Sequence, residues 1–286
     1  MTFEPCAVIP SHNHYTALGS IVARLRTAGL AVLIVDDASA EPARSAIAGL
    51  AAPADGVEVI RLPENRGKGG AVTAGLRRAR ERGFTHAVQV DADGQHDLAS
   101  LPKLLQLARS HPAALISARP LFDGSIPRGR QIGRWITHVW VWIETLSTRI
   151  TDSMCGFRVY PLAQTFAVLD RERVGQGMDF DTEIMVRMFW RGTPVVQWPV
   201  RVIYPPDNIS NFRMLRDNCR ISWMHTRLVF AMLARLPWIL LQRPPLIETG
   251  EPMPQHWAAM TERGADWGLR IMSWIYACSA GAAVSP

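Results

Sequence analysis

Two carboxylates, Asp91 and Asp93, stand one residue apart directly after the apolar run at residues 87–90. The end of a buried strand holds such side chains in a fixed place, and one spacer residue lets both reach a single ion. Carboxylate oxygens suit a hard divalent cation such as Mg²⁺ or Mn²⁺. The usual anionic partner of such a cation is a phosphate ester, so the pair predicts a metal site that holds a diphosphate.

Two more polar clusters also follow apolar runs. Asp36 and Asp37 end the run at residues 31–35, where a carboxylate can accept the ring N–H of uracil or guanine, or a ribose hydroxyl. The alternative is an ordinary Asx turn or helix cap. Residues 65–70 form a glycine-rich turn before a helix, and its backbone N–H groups and Lys68 would attract an anion. The turn lacks the spacing of a Walker A loop, and a simple turn is the alternative.

Further acids and arginines lie outside these clusters. Residues 152–158 mix an acid, a glycine and a base, and a tight turn with an ion pair is the alternative. Residues 180–183 place acids at the start of a helix, where the dipole favours them anyway. Arg119, Arg128, Arg130 and Arg134 could contact phosphates or an anionic lipid, and solvated surface charges are the alternative.

Strands and helices alternate through the first 120 residues, and this alternation places the clusters. The amphipathic spacing of Leu18, Ile21 and Leu25 predicts one of the helices, and apolar runs between helices indicate a parallel α/β sheet. Ligands of such sheets bind beyond the carboxyl ends of the strands. We therefore expect four clusters to meet at one edge, those at residues 12–13, 36–37, 64–66 and 91–93.

Beyond residue 120 the alternation stops. Helices are predicted over residues 135–149, 180–190 and 210–241, a strand over 195–204 and a mixed loop or strand over 151–160. The predicted organisation is a catalytic domain over residues 1–215 and a helical, membrane-proximal segment over 216–243. A linker and the start of a further domain follow over residues 244–286.

The composition bounds the class of protein. The chain has 286 residues, 48% of them hydrophobic, which is enough for one large α/β domain with an appendage or for two small domains. Four scattered cysteines without ligand spacing predict reduced thiols in a cytosolic protein. The N-terminus lacks a basic stretch followed by an apolar stretch, so we expect no secretory signal. A net charge of +6 suits nucleic acid, anionic lipid or a phosphorylated substrate, and residues 136–146 and 228–241 fit core helices or interfacial helices equally.

Five motifs taken together resemble family 2 glycosyltransferases, and within them the dolichyl-phosphate mannose synthase group. The motifs lie at residues 8–13, 35–39, 65–69, 91–97 and 155–158, and the resemblance covers roughly residues 5–215. It implies a GT-A fold, a Rossmann-like and mostly parallel sheet flanked by helices, with C-terminal amphipathic helices. It also implies inverting transfer of a sugar from a UDP- or GDP-linked donor to a lipid-phosphate or lipid-hydroxyl acceptor.

The two implied acceptors differ in their need for a general base. A hydroxyl acceptor needs one, whereas a lipid phosphate is already anionic and needs none. Asp152 is the first candidate for the base, Glu183 the second and Asp97 the third. With a phosphate acceptor, Asp152 would only position groups, and arginines would carry more of the binding. The candidates for that binding are Arg119, Arg130, Arg158 and Arg213.

The resemblance also assigns residues by position. Asp91 and Asp93 would bind the metal, and Gln95 would lie by the sugar. Two departures, His14 in place of an acid and Ala38 in place of glycine, affect the details of donor recognition. The location implied is cytoplasmic, at the inner face of the cytoplasmic membrane, with peripheral membrane contact. The donor-binding residues would be Pro10, Asn13, Asp36, Asp37, Asn65, Lys68, Asp91 and Gln95.

A second resemblance concerns residues 256–276, which are similar to the opening of a lipid A-type acyltransferase domain. It implies a fusion like those of bacterial aryl-polyene or xanthomonadin pigment clusters, and the alternative is an amphipathic tail packed on the core.

Two other function classes are weaker. A sugar-phosphate nucleotidyltransferase places its glycine-rich turn after the first strand, where this chain has residues 11–14. A nucleic-acid-binding domain interleaves aromatic and basic residues, and the N-terminal half has few aromatics.

Overall fold

Seven strands and eight α-helices make up the described part of the chain. The structure, a computed structural model, describes residues 2–121, 128–201 and 214–247, and of residues 128–132 and 214 only the backbone. The strands are β1 (Pro5–Ser11), β2 (Ala31–Asp36), β3 (Val57–Arg61), β4 (His86–Gln89), β5 (Leu115–Leu121), β6 (Arg158–Pro161) and β7 (Val195–Arg201). The helices are α1 (Leu18–Thr27), α2 (Ala43–Ala48), α3 (Gly67–Glu81), α4 (Leu101–Ser110), α5 (Arg128–Thr145), α6 (Leu162–Leu169), α7 (Phe180–Trp190) and α8 (Met214–Leu241).

The strands form one mixed sheet in the order β3-β2-β1-β4-β6-β5-β7. The pairs β1–β2, β1–β4, β2–β3 and β5–β7 are parallel, which confirms the predicted mostly parallel sheet flanked by helices. Strand β6 runs antiparallel to both β4 and β5. The sequence pattern does not predict this reversal or helix α6, because a four-residue strand followed by an apolar eight-residue helix shows no clear period.

The core has two halves, one on each face of the sheet. In β1, Cys6 and Val8 pack on the half that contains α3 and α7, while Ala7 and Ile9 pack on the half that contains α1 and α4. Because both faces are covered, the strand is apolar at every one of these positions. Helix α3 lies close against the sheet at Gly75, where a Cβ atom would stand 2.3 Å from the Cγ1 of Val8.

The last helix, α8, belongs to this core along one face. Met224, Leu228, Met232 and Ile239 are buried in the half of the core that holds α7. A buried polar pair joins α8 to α5, because His225 Nδ1 lies 2.7 Å from the Glu144 Oε1 atom. The predicted domain boundaries stay predictions, and residues 248–286 lie outside the described part of the chain.

Candidate functional site

The loops that follow β1, β2 and β3 are joined by hydrogen bonds at one edge of the sheet. His12 Nδ1 lies 2.7 Å from the carbonyl oxygen of Asp37, and the Asn13 amide donates to Ser39 Oγ over 2.9 Å. The Arg66 amide donates to Asp37 Oδ1 over 2.7 Å. The prediction that these polar clusters meet is therefore confirmed for the first three strands, and the fourth joins through Lys68, as described below.

The two acids that end β2 have different surroundings. Asp36 accepts a hydrogen bond from the Ser39 amide over 2.9 Å and forms an ion pair with Arg61, so it stabilises its own turn. Burial raises the pKa of the Asp37 carboxyl above its usual range, and the amide hydrogen bonds it accepts oppose that rise. Between them and Ser39, Ala38 has a φ of 54°. That left-handed conformation favours glycine, so the backbone is strained at the alanine that stands here in place of the family's glycine.

The glycine-rich turn is fixed against the loop at residues 175–177. Gly67 has a φ of +77°, and a Cβ atom there would stand 2.7 Å from the carbonyl oxygen of Gln176. The Gly70 amide donates to the same oxygen over 3.0 Å, and Asn65 Oδ1 accepts from the Gly67 amide over 3.1 Å. The turn therefore starts α3 in a fixed position, with Lys68 in the first helical turn.

A compact charged cluster occupies the middle of this edge. The Lys68 ammonium lies 2.9 Å from Asp91 Oδ2 and 2.9 Å from Asp181 Oδ2. Gln89 donates to Asp181 Oδ1 over 3.2 Å, and His96 Nε2 lies 3.3 Å from Asp91 Oδ2. Burial would raise the pKa of Asp91, but Lys68 and His96 outweigh it and hold that pKa well below its usual range. Asp91 is thus an anion held by two cationic or donor groups.

Gly156 covers this cluster at close range. A Cβ atom at this position would stand 2.6 Å from Asp91 Oδ2 and 2.7 Å from Lys68 Nζ. The glycine belongs to the segment before β6, whose backbone is held by Arg158. The fully buried Arg158 guanidinium donates to the carbonyl oxygens of Cys155, Ser153 and Asp181. Arg158 therefore fixes the segment that lies over Asp91.

The residues at this edge fit a divalent cation that takes part of its coordination from a substrate. Asp91 and Asp93 line one cavity of about 140 Å³ together with His96 and Gly94, and Asp93 Oδ1 accepts from the Gln95 amide over 3.0 Å. Within the described ranges, three or more acid, histidine or cysteine side chains do not gather as a closed metal cage. Mg²⁺ in proteins is commonly held by one or two carboxylates together with substrate phosphates and water, which this arrangement allows.

A second charged cluster surrounds Asp152 on the same segment. Asp152 forms an ion pair with Arg134, and His138 Nε2 lies 3.5 Å from its Oδ2 atom. Its Oδ1 atom accepts from the amides of Met154 and Cys155 over 3.0 and 2.8 Å. Although burial would raise the pKa of Asp152, Arg134 and His138 lower it well below its usual range.

The remaining sequence candidates lie in other surroundings. Glu183 is fully buried, where it pairs with Arg187 and Arg227 and accepts from the Gly175 amide over 2.9 Å. Asp97 accepts from the Ala99 amide over 2.9 Å and caps a short 3₁₀ helix. Arg119 is 7% exposed on β5, where burial lowers the pKa of its guanidinium and the charge of Asp152 opposes that shift. Pro10 lies in β1 opposite Val35. The side chain of Arg130 and all of Arg213 lie outside the described part of the chain.

The sequence pattern does not predict which groups several residues of the two clusters contact. Asp181 lies at the start of α7, where the helix dipole alone would favour an acid, and only the fold brings it to Lys68. Arg134 and His138 lie on α5, 14 or more residues before Asp152 along the chain. Gly156 stands in the motif at residues 155–158, but without a side chain it indicates no role of its own. Only the folded structure identifies these residues, since each reaches its cluster from another element.

The comparisons with known proteins agree with this geometry. Residues 6–175 match the family model described as glycosyl transferase family 2. The chain belongs to glycosyltransferase family 2. An undecaprenyl-phosphate mannosyltransferase from Micrococcus luteus is 31% identical over 202 residues, which cover 68% of this chain and 82% of the relative. A polyprenol monophosphomannose synthase from Mycolicibacterium smegmatis is 27% identical over 211 residues, 70% of this chain and 77% of the relative.

Solved structures show the fold of this glycosyltransferase. A mannosyltransferase from Pyrobaculum calidifontis, in complex with GDP-Man and Mn²⁺, covers 99% of this chain and 76% of its own at a TM-score of 0.53 and 16% identity. The glucosyl-3-phosphoglycerate synthase of Mycobacterium tuberculosis, with Mn²⁺, UDP-Glc and phosphoglyceric acid, covers 87% and 83% at a TM-score of 0.57 and 16% identity. The predicted GT-A fold is therefore confirmed. The family match and the two curated relatives confirm the prediction that the chain is a glycosyltransferase of the dolichyl-phosphate mannose synthase-like type.

Proposed function

We propose that this glycosyltransferase transfers a sugar, with inversion, from a nucleotide-diphosphate-sugar to a polyprenyl-phosphate type of lipid acceptor, with the help of Mg²⁺ or Mn²⁺. Two relatives that share most of their length with this chain are named for undecaprenyl-phosphate and polyprenol substrates. Structural neighbours hold Mn²⁺ with UDP-Glc or GDP-Man. The family match also argues against the alternative of a sugar-phosphate nucleotidyltransferase.

The donor would lie along the sheet edge described above. Asp37 and the residues hydrogen-bonded to it, with Asp36 in the turn below, would meet the base and ribose, and Pro10, Asn13 and Asn65 would complete that end. Lys68 would face the diphosphate, and Gln95 the sugar. Asp91 and Asp93 would hold the divalent cation. When bound, such a cation offsets the negative charge that grows on the departing diphosphate.

The single observation that carries the choice of acceptor is the ion pair between Asp152 and Arg134. A general base must take up a proton as the reaction proceeds, and it works best when its pKa lies near the operating pH. Arg134 and His138 instead hold the pKa of Asp152 well below the usual range. Asp152 is therefore a poor base, and a hydroxyl acceptor would lack the group it needs. A lipid phosphate is already ionised.

In this proposal Asp152 positions the cations that would bind the acceptor phosphate. Arg134 contacts Asp152, and Arg119 lies close enough for its charge to act on the same carboxylate. Guanidinium groups suit phosphate oxygens because they donate several hydrogen bonds in a fixed plane. Arg130 and Arg213 stay predicted contributors. Arg158 and Glu183 are better explained as residues that fix the surrounding loops, since their charged groups are fully buried and already bonded.

The lipid acceptor would reach the enzyme at a membrane-binding surface formed by α5 and α8. Apolar side chains recur on the outer face of α8 at Trp223, Phe230, Leu233 and Leu240, which are 47–69% exposed. Trp140 of α5 is also exposed and lies against His225. Among the described helices, Leu215–Leu241 has the length and composition to cross a membrane. Because its other face packs in the core, we propose that it lies on the cytoplasmic surface as an interfacial helix.

The acceptor chemistry is tested by comparing a polyprenyl phosphate with the polyprenol of equal chain length. We expect Mn²⁺-dependent transfer from GDP-mannose or UDP-glucose to the phosphate and at least about a hundredfold slower transfer to the alcohol, since no positioned base activates it. Whether the product belongs to glycolipid or aryl-polyene pigment synthesis depends on the tail resemblance, which lies outside the described residues and stays a prediction.

The Asp152→Asn variant gives a second measurement of the same point. We expect its kcat with polyprenyl phosphate to fall by less than about tenfold, because loss of a true general base costs about 10²- to 10⁴-fold. The KM for the acceptor should change more than kcat, since the partner of Arg134 is altered. Asp170→Asn, which changes an exposed carboxylate paired with Arg80, is the control. If Asp152→Asn loses kcat about a hundredfold and the wild type uses the polyprenol as readily as the polyprenyl phosphate, the mechanism with a hydroxyl acceptor is correct.

A further inference from the structure

The ammonium group of Lys68 is paired with the carboxylate of Asp91, which would have to give up that partner in order to bind a metal ion. Lys68 Nζ lies 2.9 Å from Asp91 Oδ2, the oxygen that His96 also approaches. The same ammonium lies 2.9 Å from Asp181 Oδ2. A divalent cation at Asp91 would therefore compete with Lys68 for one carboxylate, and two cations sharing that oxygen would repel each other at short range.

The two carboxylates around Lys68 are not equivalent. Asp181 is 3% exposed, and its carboxylate also accepts from Gln89 Nε2, while Arg158 donates to its carbonyl oxygen. Asp91 borders the cavity that contains Asp93. Asp181 is thus a fixed interior partner, and Asp91 is the partner at the cavity. An ammonium on a flexible stem can exchange one partner while it keeps the other.

The choice of lysine at this place is also informative. The sequence has 31 basic residues, and Lys68 and Lys103 are its two lysines. The space around the ammonium is small, because a Cβ atom on Gly156 would stand 2.7 Å from Lys68 Nζ. A lysine ammonium is a compact point charge with rotatable donors, whereas a guanidinium is a broad planar fork. The site requires the compact cation.

We infer that Lys68 is an internal counter-ion that occupies Asp91 until the metal and the nucleotide diphosphate arrive together, with Asp181 as its permanent partner. In the donor-free protein Lys68 would weaken the binding of a bare divalent cation at Asp91 and Asp93. When the diphosphate arrives, Lys68 would keep Asp181 and exchange Asp91 for a phosphate oxygen. The consequence is that the cation binds well only as part of the donor complex. This inference rests on the proposed donor site.

The test measures binding rather than turnover, with Mn²⁺ alone and with GDP or UDP in the presence of Mn²⁺, by calorimetry and by the electron paramagnetic resonance signal of free Mn²⁺. We expect Lys68→Met to bind bare Mn²⁺ at least about tenfold more tightly, as removal of a unit charge a few Å from a divalent ion implies. The same variant should bind the nucleotide with Mn²⁺ at least about tenfold more weakly, because a charge-assisted hydrogen bond is lost. Lys103→Met, at the half-buried lysine over Trp198, should change neither.

A double variant, Lys68→Met with Asp181→Asn, keeps the net charge of the cluster and relieves the repulsion that could unfold the single variant. If Lys68 competes for Asp91, the double variant still binds bare Mn²⁺ more tightly than the wild type. Equal or weaker binding of bare Mn²⁺ by the double variant, or unchanged nucleotide binding by both variants, overturns the inference while the donor site stands. If neither Mn²⁺ nor either nucleotide binds the wild type, the proposed donor site itself is wrong.

Discussion

Asp93→Ala is expected to lower the rate of sugar transfer by at least about a hundredfold, in the range found when one charge-stabilising group is removed from an active site. Asp93 and Asp91 line the same cavity, and the variant leaves a single carboxylate to hold the cation. The folding cost should be small, because the Asp93 side chain makes a local hydrogen bond to the Gln95 amide. The measurement is transfer and donor hydrolysis with Mn²⁺ and with Mg²⁺.

The matched control is Asp55→Ala, which removes an exposed carboxylate from the short 3₁₀ helix before β3. It should leave the rate and the melting temperature unchanged. Titration with Mn²⁺ separates the possible causes of a loss, since Asp93→Ala should require a higher concentration of the cation. Metal-independent turnover at the wild-type rate in Asp93→Ala would falsify the assignment of Asp93 as a metal ligand.

Gly156→Ala is expected to reduce activity by about a hundredfold or more while the protein stays folded. The added methyl group would stand 2.6 and 2.8 Å from the two carboxylate oxygens of Asp91 and 2.7 Å from Lys68 Nζ. Contacts below 3.0 Å force the neighbours apart, and these neighbours are the charged groups of the site. A displacement of about 1 Å in such groups can cost about a hundredfold in rate.

Gly19→Ala is the matched control for this substitution, because its Cβ atom would stand 3.9 Å from Leu50 in an ordinary contact on α1. It should behave as the wild type in activity, nucleotide binding and melting temperature. For Gly156→Ala, nucleotide binding in the presence of Mn²⁺ should weaken together with the rate. Wild-type nucleotide binding and rate in this variant would mean that the segment over Asp91 moves freely, against the bonds that Arg158 makes to it.

Local sequence determined the first half of the fold and the edge at which the site lies. Buried strands that alternate with helices leave few arrangements open, and the carboxyl ends of parallel strands share one edge. For that reason the positions of Asp36, Asp37, Asp91 and Asp93 in the chain were enough to predict that their clusters converge. The resemblance to family 2 glycosyltransferases added the class of reaction, which the family match then confirmed.

Tertiary structure decided which charges face each other. The reversal of β6 between β4 and β5 brings Gly156 over Asp91 and sets Arg158 against the start of α7. Asp181 reaches Lys68 from 113 residues further along the chain, and Arg134 reaches Asp152 from another helix. No local pattern encodes such pairs, because a periodicity records which face of an element is buried and not which charge it meets there. The sequence positions of Asp91 and Asp93 therefore predict where the proposed donor site lies, while the partners of Asp91 and Asp152, which the fold supplies, support the proposals about its control and its acceptor.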